Sequence, residues 1–147
     1  MARADFKFHH TIRVRYAEID AQAVVFNAHY LTYFDVGHTE YMRATGIQYA
    51  DSVAETGIDF HLVTSTVDYR QPIKFDQLID VCVRVSRIGN TSMTNLFEIH
   101  AHDSDDLLAS GQTVLVSANL ATHRPVPVPE DFAARIRAFE GTALETN

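Results

Sequence analysis

Asp20 is the residue whose surroundings most favour chemistry. It stands between Ile19 and the run Ala21-Gln22-Ala23-Val24-Val25-Phe26, shortly before the helix that should start near Asn27. A carboxylate held among apolar neighbours loses part of its hydration, which makes it a better base or nucleophile. An Asp in a loop before a helix also serves as a turn or capping group, so the pattern alone leaves both roles open. No Gly-x-Ser-x-Gly elbow, Cys-His pairing, phosphate-cradling glycine loop or metal-spaced cluster competes with it. The histidine pairs His9-His10 and His100-Ala101-His102 lack a third ligand at a recognised spacing, and no metal or separate cofactor is expected. Cys82 alternates with Val81 and Val83 and reads as a small buried hydrophobe rather than a nucleophile.

The elements that must hold Asp20 follow from periodicity. Residues 6 to 16 mix aromatic, β-branched and basic side chains, with Ile12, Val14 and Tyr16 alternating against Arg13 and Arg15, which predicts a first strand. Residues 17 to 26 have no clean period and form an irregular apolar loop that ends at Asn27, a good helix cap. From Ala28 to about Thr45, Tyr30, Leu31, Tyr33, Phe34, Tyr41 and Met42 recur at helical spacing, and Gly46 stands where a left-handed cap would fall. Gly37 inside this helix suggests close approach to a sheet. A short helical stretch through residues 50 to 55 precedes four strands at about 58–70, 78–88, 92–102 and 107–120. Gly89-Asn90 and residues 103 to 106 connect them too tightly for parallel crossovers, so neighbours should be antiparallel. Val126-Pro127-Val128-Pro129 breaks the pattern, and Pro129-Glu130-Asp131 opens a short helix to about Phe139.

Residues 1–147 read as a single domain, since no repeat, low-complexity tract or linker divides them. The formal charge of -7 argues against a nucleic-acid partner, whose phosphates need a cationic surface. No apolar run approaches a membrane span, and Met1-Ala2-Arg3-Ala4-Asp5 lacks a secretory signal, so a cytoplasmic protein is expected; one cysteine agrees with a reducing compartment. One long helix covers only one face of a curved antiparallel sheet. The remaining face or edge should be buried by a second copy, as a homodimer or a dimer of dimers.

Three motifs then acquire meaning together. The run from Arg15 to Phe34, with Asp20, Val25, Asn27 and Tyr30 in order, resembles the signature of the 4-hydroxybenzoyl-CoA thioesterase family. Asp68-Tyr69-Arg70-Gln71-Pro72 with Asp76 resembles its strand-end motif, and Arg87-Ile88-Gly89-Asn90-Thr91-Ser92 resembles its hairpin. Gln22-Ala23 departs from the family by standing where a glycine is frequent. The resemblance covers nearly the whole chain and implies an α+β hotdog fold, a curved five-stranded antiparallel sheet wrapped around one long central helix, with active sites at a subunit interface. It implies hydrolysis of an acyl-CoA, with Asp20 as the catalytic carboxylate and the backbone N–H of Asn27 as the group that polarises the thioester carbonyl.

A helix N-terminus, with its unpaired N–H groups and partial positive charge, suits such an oxyanion. His29 and Tyr30 in the first helical turn are candidate substrate contacts. Arg87 with Gly89, Asn90, Thr91 and Ser92 offers a cation, backbone N–H groups and hydroxyls to the phosphates of CoA, although the same residues make an ordinary hairpin turn. Glu40 and Asp35 are the rival carboxylates, because another branch of hotdog enzymes carries its acid on the central helix. Two other functions fit the same resemblance: an acyl-thioester hydratase or dehydratase, which needs a His-Asp pairing near the helix start that is absent here, and a non-catalytic acyl-CoA-binding protein.

Overall fold

The alternating segments become strands and the 3.6-periodic ones become helices, in a computed structural model that describes residues 2–146; Met1 and Asn147, the ends of the expected domain, lie outside the described residues. In chain order the elements are β1 (Phe8–Arg13), α1 (His29–Ala44), α2 (Tyr49–Thr56), β2 (Ile58–Tyr69), β3 (Leu78–Ile88), β4 (Ser92–Ala101), β5 (Leu107–Asn119), α3 (Glu130–Glu140) and a two-residue β6 (Glu145–Thr146). The five long strands lie in the order β1-β3-β4-β5-β2, and β6 adds a short parallel pairing to β3 at Arg87 and Ile88. This is the expected α+β arrangement of a five-stranded antiparallel sheet with one long helix, extended by two residues the sequence reading did not include.

The chain divides into two compact units, one of residues 1–41, 67–83 and 97–111, the other of residues 42–66, 84–96 and 112–147. In the first unit β1 pairs antiparallel with β3, Phe8 opposite Val83 and Arg13 opposite Leu78. Helix α1 packs its aromatic stripe there: Tyr33, Phe34 and Tyr41 are buried, and Phe34 stacks on Phe97 of β4 with ring centroids 4.4 Å apart. Gly37 permits this seating, since a Cβ at that position would lie 2.7 Å from Val81 Cγ1 and 3.0 Å from Val83 Cγ2. Cys82 is 1% exposed, and burial first of all pushes its thiol up to about 12, in keeping with an inert core position.

In the second unit the end of α1 is closed as expected: Gly46 has φ +83°, and the Ile47 N–H donates to the Met42 carbonyl at 3.0 Å. Phe132 of α3 is buried and meets Phe60 of β2, centroids 5.0 Å apart, and Ile136, one helical turn further along α3, is buried too. The first strand is shorter than its alternation suggests. Tyr16 does not continue it but begins a 3-10 turn, Tyr16–Glu18, and stands 78% exposed, because the Glu18 N–H turns back to the Arg15 carbonyl instead of joining a ladder.

Candidate active site

The irregular apolar loop is a tight hairpin with Asp20 at its tip. Ile19 and Val25 bridge antiparallel, the Asp20 N–H donates to the Val24 carbonyl at 2.9 Å, and the Ala23 N–H returns to the Asp20 carbonyl at 3.0 Å. Closing so short a loop requires a left-handed residue, and Ala23 takes it with φ +61°. A glycine would take this conformation without the steric cost of a Cβ. The half-buried Asp20 carboxylate accepts the Gln22 N–H at Oδ1, 2.8 Å, while Oδ2 accepts from no described residue. One oxygen is therefore held by an Asx turn and the other carries no bond from a described residue.

The hairpin's second arm is paired to the segment that follows Pro72. The Val25 N–H donates to the Ile73 carbonyl at 2.8 Å, Val24 bridges Lys74, and the Phe75 N–H donates to the Ala23 carbonyl at 3.2 Å. The strand-end motif read at residues 68 to 76 thus forms a flank of the Asp20 turn. Tyr16 and Phe75, both exposed, meet edge to face at 5.9 Å on this flank. Beside it lies a recess of about 500 Å³ lined by Gln71, Pro72, Lys74, Phe75 and Leu108 among others.

Asn27 follows directly. The His29 N–H donates to the Phe26 carbonyl at 2.9 Å and the Tyr30 N–H to the Asn27 carbonyl at 3.3 Å, so the helix starts one residue later than the sequence suggests. The N–H groups of Asn27 and Ala28 donate to no acceptor among the described residues. Each belongs to a peptide whose carbonyl already accepts a bond: Phe26 from His29, and Asn27 from both Tyr30 and the Tyr69 hydroxyl at 3.2 Å. Such polarisation strengthens the free N–H as a donor. The Asn27 side chain, expected as a cap, makes no capping bond among the described residues.

His29 is half-buried with its ring edge-on to Phe26 at 6.2 Å. Tyr30, expected as a substrate contact, is 4% exposed and packs edge-on against Tyr69 at 4.7 Å; burial pushes its phenol up. Within this chain it is a packing residue, and the hydroxyl that reaches the helix start is that of Tyr69. Sequence reasoning missed Tyr69 and Glu18. The Glu18 carboxylate is 5% exposed and accepts the Tyr33 hydroxyl at 2.9 Å, the Arg15 N–H at 2.9 Å and Arg15 Nε at 3.0 Å. The Arg15 and Glu18 spacing of three within a short turn was the only signal for it.

The candidate CoA contacts lie in the second unit. The Gly89 N–H closes the turn onto the Ser92 carbonyl at 2.8 Å, while the Thr91 and Asn90 carbonyls accept the N–H groups of Ser117 and Val128 at 2.7 and 2.9 Å. Gly89 and Asn90 line a recess of about 320 Å³ with Pro127, Val128, Glu130 and Arg137, the last two ion-paired. Arg87 is exposed at the end of β3. A further cavity of about 510 Å³ is lined by Gly46, Asp51, Glu55, Phe132 and Arg135 among others, and contains none of the expected site residues. Of the rival carboxylates, Asp35 is exposed and Glu40 half-buried on α1.

Among the described residues one trio of ligand-type groups converges, Asp80, His102 and Asp103. Asp80 is fully buried and already saturated by Arg3 (2.6 Å), Thr11 (2.7 Å), His102 Nδ1 (2.9 Å) and the Asp103 N–H (2.9 Å). Burial opposes its charge and these four donors overcome it, holding its pKa well below the usual carboxylate range. The cluster therefore reads as structure, as does the buried pair of His100 and Glu98, 2.8 Å apart.

A long helix packed on this five-stranded antiparallel sheet defines the class of fold, the hotdog fold. The chain belongs to the thioesterase-like superfamily, whose model matches residues 14–136, and with that membership the expected thioester hydrolase class stands. It is 28% identical over 130 residues to the acyl-CoA thioesterase YbgC of Haemophilus influenzae, covering 88% of this chain and 94% of that protein. A thioesterase from Thermus thermophilus, solved in complex with coenzyme A and Zn, aligns with TM-score 0.78 and 28% identity over 93% of this chain and 96% of that one. The 1,4-dihydroxy-2-naphthoyl-CoA thioesterase Slr0204 from Synechocystis aligns with TM-score 0.81 over 88% of this chain and 94% of that one; at 19% identity the likeness is one of fold. No described helix is long and apolar enough to cross a membrane.

Proposed function

We propose that the protein hydrolyses a short-chain or aromatic acyl-CoA to the free acid and CoA, with Asp20 as the attacking carboxylate or general base and the Asn27 N–H as the oxyanion donor. The observation that carries this reading is the pairing of a carboxylate oxygen without a partner, Asp20 Oδ2, with an unused N–H at a helix start one short hairpin later. Attack on the thioester carbon places negative charge on its oxygen, and a fixed backbone donor in a partly dehydrated site stabilises that charge without reorganising. If Asp20 attacks directly, CoA leaves as the thiolate and water cleaves the mixed anhydride. If it acts as a base, it takes a proton from the water that attacks.

The names of the relatives support the acyl-CoA substrate, and the coenzyme A complex of the Thermus relative supports recognition of the CoA moiety. Exposed Tyr16, Phe26 and Phe75 around the hairpin are compatible with an aromatic acyl group or a short aliphatic one. A homodimer, or a dimer of dimers, is part of the proposal: β2 is an edge strand, and its consecutive residues Leu62 and Val63 are both exposed. His29, Arg87 and the Gly89-Asn90-Thr91-Ser92 turn are proposed as secondary contacts to substrate.

The test is thiol release from short, medium and aromatic acyl-CoAs by wild type and Asp20→Asn, which keeps size and removes charge. The expected result is a loss of about a hundredfold or more in kcat with KM little changed, the scale of a positioned acid-base group. Equal release by both proteins would transfer the role to Glu40 or Asp35. Hydration of a trans-2-enoyl thioester without thiol release would favour a hydratase.

A further inference from the structure

We infer that the buried Glu18–Tyr33 hydrogen bond is a positioning device for the reaction at Asp20, an inference that rests on the proposed thioesterase reading. Glu18 is the residue through which the hairpin and helix α1 are tied together. Its side chain accepts the Tyr33 hydroxyl at 2.9 Å, one helical turn beyond Tyr30, and so grips α1 from inside. Its backbone carbonyl accepts the Phe26 N–H at 2.9 Å, the peptide directly before Asn27. Its second carboxylate oxygen holds Arg15, where β1 leaves the sheet. The chain then reaches Asp20 after a single further residue, Ile19, which is itself bridged to Val25.

The carboxylate and the oxyanion donor thus sit on two arms of one hairpin. Glu18 is the point where both arms meet α1. Neither Glu18 nor Tyr33 is open to substrate, since they are 5% and 1% exposed. Their contribution has to pass through the placement of Asp20 relative to the Asn27 N–H, and it is lost when Asp20 no longer acts. A displacement of about 1 Å between reacting groups is enough to cost up to a hundredfold in rate.

Burial alone does not account for a charged Glu18. Burial works against the carboxylate, and the Arg15 N–H, the Tyr33 hydroxyl and the Arg15 guanidinium outweigh it, leaving its pKa below the ordinary glutamate value. The same contact, after burial itself, raises the Tyr33 phenol far above its ordinary range, so the hydroxyl stays a donor throughout the working pH range. The bond is therefore a fixed, charge-assisted one.

The experiment compares Tyr33→Phe, Glu18→Gln, Asp20→Asn and the double variant Tyr33→Phe/Asp20→Asn with wild type by thiol release, with circular dichroism melting as a check on folding. Tyr33→Phe removes one oxygen and keeps the ring and its packing. The expected result is a fall of about tenfold in kcat with KM within twofold, a larger fall for Glu18→Gln, whose amide nitrogen would oppose the donors of Arg15, and less than a twofold effect of Tyr33→Phe when Asp20 is already Asn. Unchanged kcat in folded Tyr33→Phe overturns the inference, as does an equal fold-loss in both backgrounds, which marks a merely structural bond. With wild type active and Asp20→Asn impaired, either result leaves the thioesterase reading in place. A wild type that releases no thiol overturns that reading and the inference with it.

Discussion

Gly37→Ala should destabilise the protein, although alanine is the better helix former. In the middle of a helix the substitution by itself favours folding by roughly 0.8–1 kcal/mol. Against that gain stands a new methyl group 2.7 Å from Val81 Cγ1 and 3.0 Å from Val83 Cγ2, where carbon atoms prefer about 3.5–4.0 Å. Neither valine has room to yield, because both are β-branched and fully buried on the β1-paired strand β3. Helix α1 has to lift, and overpacking of this kind costs about 1–3 kcal/mol. The clash also loosens neighbouring contacts, including the 4.4 Å stack of Phe34 on Phe97, so the upper part of that range applies.

The net expectation is a loss of about 1–2 kcal/mol, which for a chain of this size lowers Tm by roughly 3–8 °C. Thermal melting followed by circular dichroism measures it. Adding Val81→Ala removes the nearest clashing atom, so the double variant should be more stable than the sum of the two single changes by about 1 kcal/mol. Because α1 also carries the Asn27 peptide, thiol release by Gly37→Ala should fall as well. A Tm equal to or above that of wild type would show that helix propensity wins, and that the seating of α1 is looser than the distances state.

Ala23→Gly should stabilise the hairpin by about 0.5–1 kcal/mol, because φ +61° costs an alanine more than the added freedom of glycine costs in the unfolded chain; a lower Tm in thermal melts would refute the strained turn. His102→Gln should remove a pH-dependent increment of stability. Its hydrogen bond to Asp80 raises the His102 pKa above 6.5, so the protonated ring stabilises the fold fully below pH 6.5 and the effect fades as pH rises through the folded-state value. The Tm difference between wild type and His102→Gln should therefore be larger at about pH 5.5 than at about pH 9, and an equal difference at both would contradict the pairing. These stand with the kinetic effects expected for Asp20→Asn and for Tyr33→Phe.

Periodicity alone located α1, the strand limits of β3 and the helix at Pro129, because each of these is fixed by which side chains recur at 2.0 or 3.6 residues and by where glycine and proline interrupt them. The place of β2 beside β5, with β1 rather than β2 next to β3, is decided by tertiary pairing. The close approach at Gly37 and the cap at Gly46 were legible for the same reason: both are properties of one residue in one element. Asp20 and Asn27 were legible only as types in a run. What no local pattern contains is pairing between distant segments. That Ile73, Lys74 and Phe75 form the flank of the Asp20 turn, that the hydroxyl at the helix start comes from Tyr69, and that Tyr30 is packed away behind it are decided by contacts some 40 to 50 residues apart in the chain. Glu18 is the clearest instance. In the sequence it is one acidic residue among 19 in a net negative chain, and its importance arises only when folding buries it and supplies Tyr33 and Arg15 as donors that keep its charge.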